Sequence, residues 1–257
     1  MKIFDSHLHI IDKNFPIYEN QGFLPNQFTV EDYQTETERN NINIAGGAIV
    51  SGSFQKFDQS YLIDSLQKLG KNFAGVTQLP HDTTDEEILR LNEYGVRAVR
   101  FNVQRGGSED LSNLEYFAKR VYELAHWHVE LYINSVHLKD LHSTLVDLPA
   151  VSIDHLGLSK EGLPHLLELV EKGGVRVKAT GFGRIEFEDP LEPIKKIHSV
   201  HPHALMFGTD LPSTRAPRPF HKNDISIIQE ALPKNDAEKI LYKNAMQWYL
   251  HRDENND

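Results

Sequence analysis

The chain has 257 residues and no cysteine; 39% of it is hydrophobic, 25% is charged, and its formal net charge is −10. These are globular values. They remove disulfides, thiolate nucleophiles and cysteine zinc sites, and they deny a nucleic-acid partner the broad cationic surface that phosphates need. No apolar run approaches the roughly 20 residues that span a bilayer, and Asp5, His7, His9 and Asp12 break the first one where a secretory leader needs continuity. The expectation is a cytoplasmic protein of one domain, residues 1–257, with no membrane partner.

In chain order, the first predicted strand is KIFDSHLHI (2–10), with Asp5, His7 and His9 at every second position. Side chains two apart on a strand share a side, so a carboxylate and two imidazoles are expected together. Residues 11–30 are irregular and expected to fold over that strand's C-terminal end. Seven further strands follow: NIAGGAIVS (43–51), FAGVTQL (73–79), VRAVRFNV (96–103), HVELYIN (128–134), AVSIDHLG (150–157), VRVKATGFG (175–183) and ALMFGTDLP (204–212). Most are apolar on both alternations in their middles, as strands covered on both faces should be.

Helical patterns lie between them. One runs from Phe57 to Leu69. The next, TTDEEILRLNEYG, offers Thr83 or Thr84 as N-cap, acids in its first turn and Gly95 as terminator. In SEDLSNLEYFAKRVYELAHW, apolar residues recur at three and four: Leu111, Leu114, Phe117, Ala118, Val121 and Leu124. Four more helical segments continue the pattern to NDAEKILYKNAMQWYL. Alternating strands and helices argue for a parallel sheet, and eight units argue for closure into a (β/α)8 TIM barrel.

Such a barrel keeps its chemistry at the C-terminal ends of the strands. The ionisable and polar residues collect there: His7 and His9 at strand one, Ser51 and Ser53 at two, Arg100 and Asn102 at four, Tyr132 and Asn134 at five, Asp154 and His155 at six, Arg184 after seven, and Asp210 at eight. Singly, each has a structural explanation; Arg100 could pair with a neighbour, and Asp210 before Leu-Pro could cap a turn. All of those explanations would have to hold at one rim. His126, His128, His142, His165, His198, His201 and His203 fall on helices, strand starts or turns away from it.

Here a resemblance becomes specific. D-x-H-x-H at strand one, RFN at strand four, DHLG at strand six, GTDLP at strand eight and the closing ILYKNAMQWY resemble the amidohydrolase superfamily. Within it they resemble the amidohydrolase-2 branch and its 2-pyrone-4,6-dicarboxylate lactonase-like hydrolases. The resemblance implies that Asp210 activates water while His7, His9 and His155 polarise a lactone carbonyl. It also implies that Arg100, Tyr132, Arg184 and Ser51 bind a small carboxylated substrate. Metal-dependent members add a strand-four Lys or Glu and a strand-five His; VRAVRFNV has neither residue, and His128 sits at the wrong end of its strand. Chemistry without a cofactor is therefore expected. One divalent ion such as zinc, held by His7, His9 and Asp210 in a hydrolase or decarboxylase, is the alternative, and a non-catalytic carboxylate-binding barrel is the third reading.

Overall fold

In a computed structural model describing residues 1–251, eight strands form one sheet in the order β1 to β8, every recorded pairing parallel. They are β1 (Ile3–Leu8), β2 (Ile44–Val50), β3 (Phe73–Thr77), β4 (Val96–Phe101), β5 (His128–Leu131), β6 (Val151–Ile153), β7 (Val175–Ala179) and β8 (Leu205–Phe207). All eight lie inside the predicted runs and are shorter, because each run includes the loop that leaves its strand. Backbone bonds from Asp210 to the His7 carbonyl (2.7 Å) and from His9 to the Leu211 carbonyl (2.8 Å) join β8 to β1. The fold is thus a (β/α)8 barrel.

The outer helices are α1 (Val30–Arg39), α2 (Ser60–Leu69), α3 (Asp85–Glu93), α4 (Leu114–Ala125), α5 (Leu138–Asp147), α6 (Leu163–Glu171), α7 (Leu191–Val200) and α8 (Asn223–Ala231), followed by α9 (Lys234–Glu238) and α10 (Asn244–Leu250). Thr84 is the cap of α3, accepting a bond from the Glu87 amide. Helices α1 and α5 lie where no helix is predicted above. No helix among the described residues is long and apolar enough to cross a membrane.

Strand alternation divides the interior. Phe4, Ala48, Val50, Ala74, Val76, Ala98 and Met206 make an apolar inner wall, against which Tyr242, Ala245, Met246 and Tyr249 pack from the chain's end. Tyr249 stacks on Phe4 at 5.8 Å, so α10 plugs the N-terminal mouth. The opposite wall is polar: Glu130, Asp154 and Lys178 are completely buried. Their neighbours Val129, Leu131, Ile153, Val177 and Ala179 belong to the separate cluster under the helices.

Candidate active site

Strand β1 does not keep its three polar residues together. A register shift between Asp5 and Leu8 breaks the alternation, as a bulge does. Asp5 accepts bonds from Tyr33 Oη (3.0 Å), the Thr209 amide (2.7 Å) and Thr209 Oγ1 (2.6 Å). It is a brace between β1, α1 and the end of β8, and burial pushes its carboxyl up to about 6. The expectation that Asp5 shares a side with His7 and His9 is corrected on this point.

His7, His9, His155 and Asp210 do converge. The His7 ring centre lies 5.0 Å from that of His9 and 4.8 Å from that of His155. Asp210 Oδ1 is 3.9 Å from His7 Nε2 and 3.7 Å from His9 Nε2. Tight backbone approaches permit this. A Cβ on Gly208 would lie 2.6 Å from the His7 amide nitrogen, and one on Gly181 would lie 2.6 Å from His155 Nδ1. Asp210 and His155 themselves adopt left-handed backbone, φ 60° and 50°, a conformation uncommon outside glycine and found where function constrains the chain.

Each group has a defined environment. Arg184 Nε donates to Asp210 Oδ2 at 2.6 Å, while Asp210 Oδ1 is buried without a hydrogen-bond partner. Burial raises the Asp210 pKa against the pull of Arg184. His9 Nδ1 lies 2.7 Å from the Val50 carbonyl, and His155 Nδ1 lies 2.8 Å from Thr180 Oγ1. Burial holds His7 and His155 well below the usual imidazole range and His9 at about 3, with Arg100 adding to the effect on His9. Near neutral pH all three rings are neutral.

The remaining predicted residues divide. Arg184 and Tyr132 line the cavity in front of Asp210, as do Arg105 and Arg215 at its rim. Arg100 reaches the cavity too, but much of its guanidinium is committed: Nε and Nη2 bond Asp154 Oδ2 (3.2 and 2.7 Å), and Nη1 bonds the Ser51 carbonyl (2.8 Å). Ser51 is not brought there. Its hydroxyl pairs with Tyr61 Oη at 2.6 Å under α2; Ser53 lines the cavity instead.

Beneath His7 lies a layer that the sequence reading missed. Lys178 Nζ is 2.6 Å from Glu130 Oε2, 3.3 Å from His7 Nδ1 and 3.8 Å from Asp154 Oδ1. Tyr249 Oη donates to Glu130 Oε2 at 3.1 Å. Burial raises the Glu130 carboxyl, while Arg100 and the neighbouring cations hold Asp154 well below the usual range despite its burial. The signal was present: His128, Glu130 and Tyr132 are charged or polar at alternate positions of β5 and beyond, as are Arg176, Lys178 and Thr180 around β7.

The cavity is about 40 Å³, ample for a water beside Asp210, and Arg105 and Arg215 in its lining are only partly buried. A roomier cavity of about 290 Å³ opens at the opposite mouth between His128, Arg176 and Trp248. It is the larger of the two, but the convergence of titratable groups favours the first. His7, His9 and Asp210 offer ligand atoms within 4.8 Å of one another, as do His7, Asp154 and His155. The same region holds two buried cations, Arg100 and Lys178, and the part-buried Arg184, against three buried carboxylates, Glu130, Asp154 and Asp210.

An eight-stranded barrel with two histidines from β1, one after β6 and an aspartate after β8 defines a barrel hydrolase of the amidohydrolase class. The chain belongs to the amidohydrolase family, whose model matches residues 4–250. It is 23% identical to a 2-pyrone-4,6-dicarboxylate hydrolase of Comamonas testosteroni, covering 95% of this chain and 89% of that protein. Among solved structures it resembles a probable 2-pyrone-4,6-dicarboxylic acid hydrolase of Acinetobacter baumannii with citric acid bound: TM-score 0.81, 22% identity, 97% of this chain and 99% of that one. An apo structure from Agrobacterium tumefaciens gives TM-score 0.84 at 18% identity, covering 96% and 95%.

Proposed function

We propose that this hydrolase opens a small carboxylated lactone, of the kind named for its Comamonas relative, by attack of water activated by Asp210. The observation that carries this reading is the division of labour in the Asp210 carboxylate. One oxygen is fixed by Arg184; the other is buried, unpartnered and aimed between two imidazoles. A carboxylate so placed accepts a proton from water, and burial has raised its basicity. The water oxygen bonds to the lactone carbonyl carbon, the ring C–O bond breaks, and the proton taken by Asp210 passes to the leaving oxygen. His7 and His155 face the carbonyl oxygen and, being neutral, act through N–H groups rather than full charge, while His9, whose Nδ1 faces the Val50 carbonyl, turns its bare Nε2 toward Asp210.

Arg105, Arg184 and Arg215 supply guanidinium groups for the substrate carboxylates. The citric acid in the Acinetobacter structure is consistent with a polycarboxylate pocket. Charge balance supports hydrolysis without a resident dication: with three cations, two of them buried, already facing three buried carboxylates, two further positive charges would stand uncompensated in low dielectric. His7, His9 and Asp210 would hold a metal if one were bound, and it would supply Lewis acidity at the carbonyl.

The test is ring opening of 2-pyrone-4,6-dicarboxylate, followed by loss of pyrone absorbance, before and after exhaustive chelation. Full activity in stripped protein is expected, and Asp210→Asn should lower kcat about 10³-fold. Activity that vanishes on chelation and returns with zinc would overturn the metal-free mechanism, and an Asp210→Asn enzyme at wild-type kcat would remove Asp210 as the base.

A further inference from the structure

We infer that Lys178 is a positioning residue that holds His7 in the tautomer with its proton on Nε2, making the ring a hydrogen-bond donor to the reacting carbonyl and barring it from ligating a metal. The first consequence rests on the lactone hydrolysis proposed above; the tautomer and the second consequence rest on geometry alone.

Lys178 Nζ makes a hydrogen bond to His7 Nδ1 at 3.3 Å. An ammonium has hydrogens to give and no lone pair to receive one, so Nδ1 must present its lone pair. A neutral imidazole then carries its single proton on Nε2. One neighbour asks for the opposite arrangement: Asp154 Oδ1 is 3.4 Å from the same nitrogen. That oxygen lies slightly farther off and lacks hydrogen-bond geometry, so that it acts on the ring mainly through its charge, while Asp154 Oδ2 is held by Arg100. Glu130 Oε1 is farther, at 3.8 Å. Lys178 cannot easily leave. It is completely buried on β7 and ion-paired at 2.6 Å with Glu130 Oε2, which Tyr249 Oη also holds.

His9 shows the reverse. Its Nδ1 faces the Val50 carbonyl at 2.7 Å, and a carbonyl only accepts, so the proton lies on Nδ1 and Nε2 is bare. Two adjacent rings therefore present opposite chemistry to Asp210 Oδ1, one N–H at 3.9 Å and one lone pair at 3.7 Å. The His7 N–H is unpartnered within the protein and free to bond a developing oxyanion. A metal requires a lone pair. With His7 protonated on Nε2, only His9 and Asp210 remain of that ligand trio, below the three protein ligands of catalytic zinc.

The deciding experiment is ¹⁵N NMR of the histidine rings in wild-type protein, where His7 should carry its proton on Nε2. In Lys178→Met/Glu130→Met, which removes the cation and its counter-charge together and keeps the volume, the proton should move to Nδ1, toward Asp154. The same variant should bind zinc about tenfold more tightly than wild type by calorimetry, a third ligand having become available. Its kcat on the pyrone should fall about 100-fold with KM within about threefold. A wild-type His7 protonated on Nδ1 overturns the inference without any variant, so misfolding of the double variant leaves it testable. A variant that keeps the Nε2 proton overturns it as well. A moved proton with unchanged kcat overturns the donor role. If wild type does not open the pyrone, the proposed reaction falls, and the NMR and zinc results still decide what Lys178 does.

Discussion

Asp5 accepts four hydrogen bonds, all from groups that are themselves buried, and so fixes the loop that carries Asp210. Asp5→Ala would leave Tyr33 Oη and the Thr209 amide without partners. Unsatisfied buried donors cost roughly 1–3 kcal/mol each, so urea unfolding should show a loss of about 2 kcal/mol or more, larger than that of a typical surface substitution. The convergence of His7, His9, His155 and Asp210 was legible as spaced motifs at strand ends. The placement of Asp5 was not, because a one-residue register shift leaves no mark in the apolar pattern. Lys178 and Glu130 were legible in principle, as ionisable residues at inward positions of strands whose alternate residues are apolar. They escaped because a buried charge inside a barrel strand makes sense only beside its partner on another strand, and partnership across β5, β6 and β7 is a tertiary fact.

Residues 11–30 do fold over the mouth of the barrel, as their position after β1 suggested. Ile11 and Phe28 bridge at the base of the segment. At its tip, Asn20 Nδ2 donates to the Arg105 carbonyl (3.2 Å), Ser53 Oγ donates to Asn20 Oδ1 (3.0 Å), and Arg215 Nη2 donates to the Asn20 carbonyl (2.7 Å). One asparagine thus ties the loops after β2, β4 and β8, two of which carry rim arginines. Asn20→Ala removes the side-chain bonds and loosens Arg105 and Arg215 without touching Asp210. Losing one or two bonds of about 1 kcal/mol predicts a KM raised about five- to tenfold with kcat little changed; an equal fall in kcat would show that the segment positions the reacting groups instead. The unpredicted helix α1 has a physical reason for its silence. Its buried residues are Val30, Tyr33 and Thr37, so a polar threonine and a tyrosine stand where the periodicity needs aliphatic side chains. Its capping box of Thr29 and Asp32 was the available signal.

For the whole molecule, the surface and the interior carry opposite electrostatics. The chain is acidic overall, at −10, yet the core of the barrel balances three cations against three carboxylates and keeps its imidazoles neutral. That arrangement sets how stability responds to acid. His7, His9, His128 and His155 are all held low by burial, so below about pH 6.5 the unfolded chain takes up protons that the native one refuses. Those four contribute stability that is present above the unfolded value and lost as pH falls, for His9 over the window from about 6.5 down to about 3. Asp5, Glu130 and Asp210 have raised values and oppose this, since the native state keeps protons there that the unfolded state releases. Four protons against three leave a net of at least one on the unfolded side near pH 5.5, and stability should therefore fall as pH drops through that region by about 1.4 kcal/mol per pH unit or more. Urea midpoints measured between pH 7.5 and 5 would show it, and His9→Asn should flatten that limb by about one proton. A limb unchanged in the variant would mean that His9 is protonated in the folded protein, and with it that the bare Nε2 facing Asp210 is filled by a proton at acid pH.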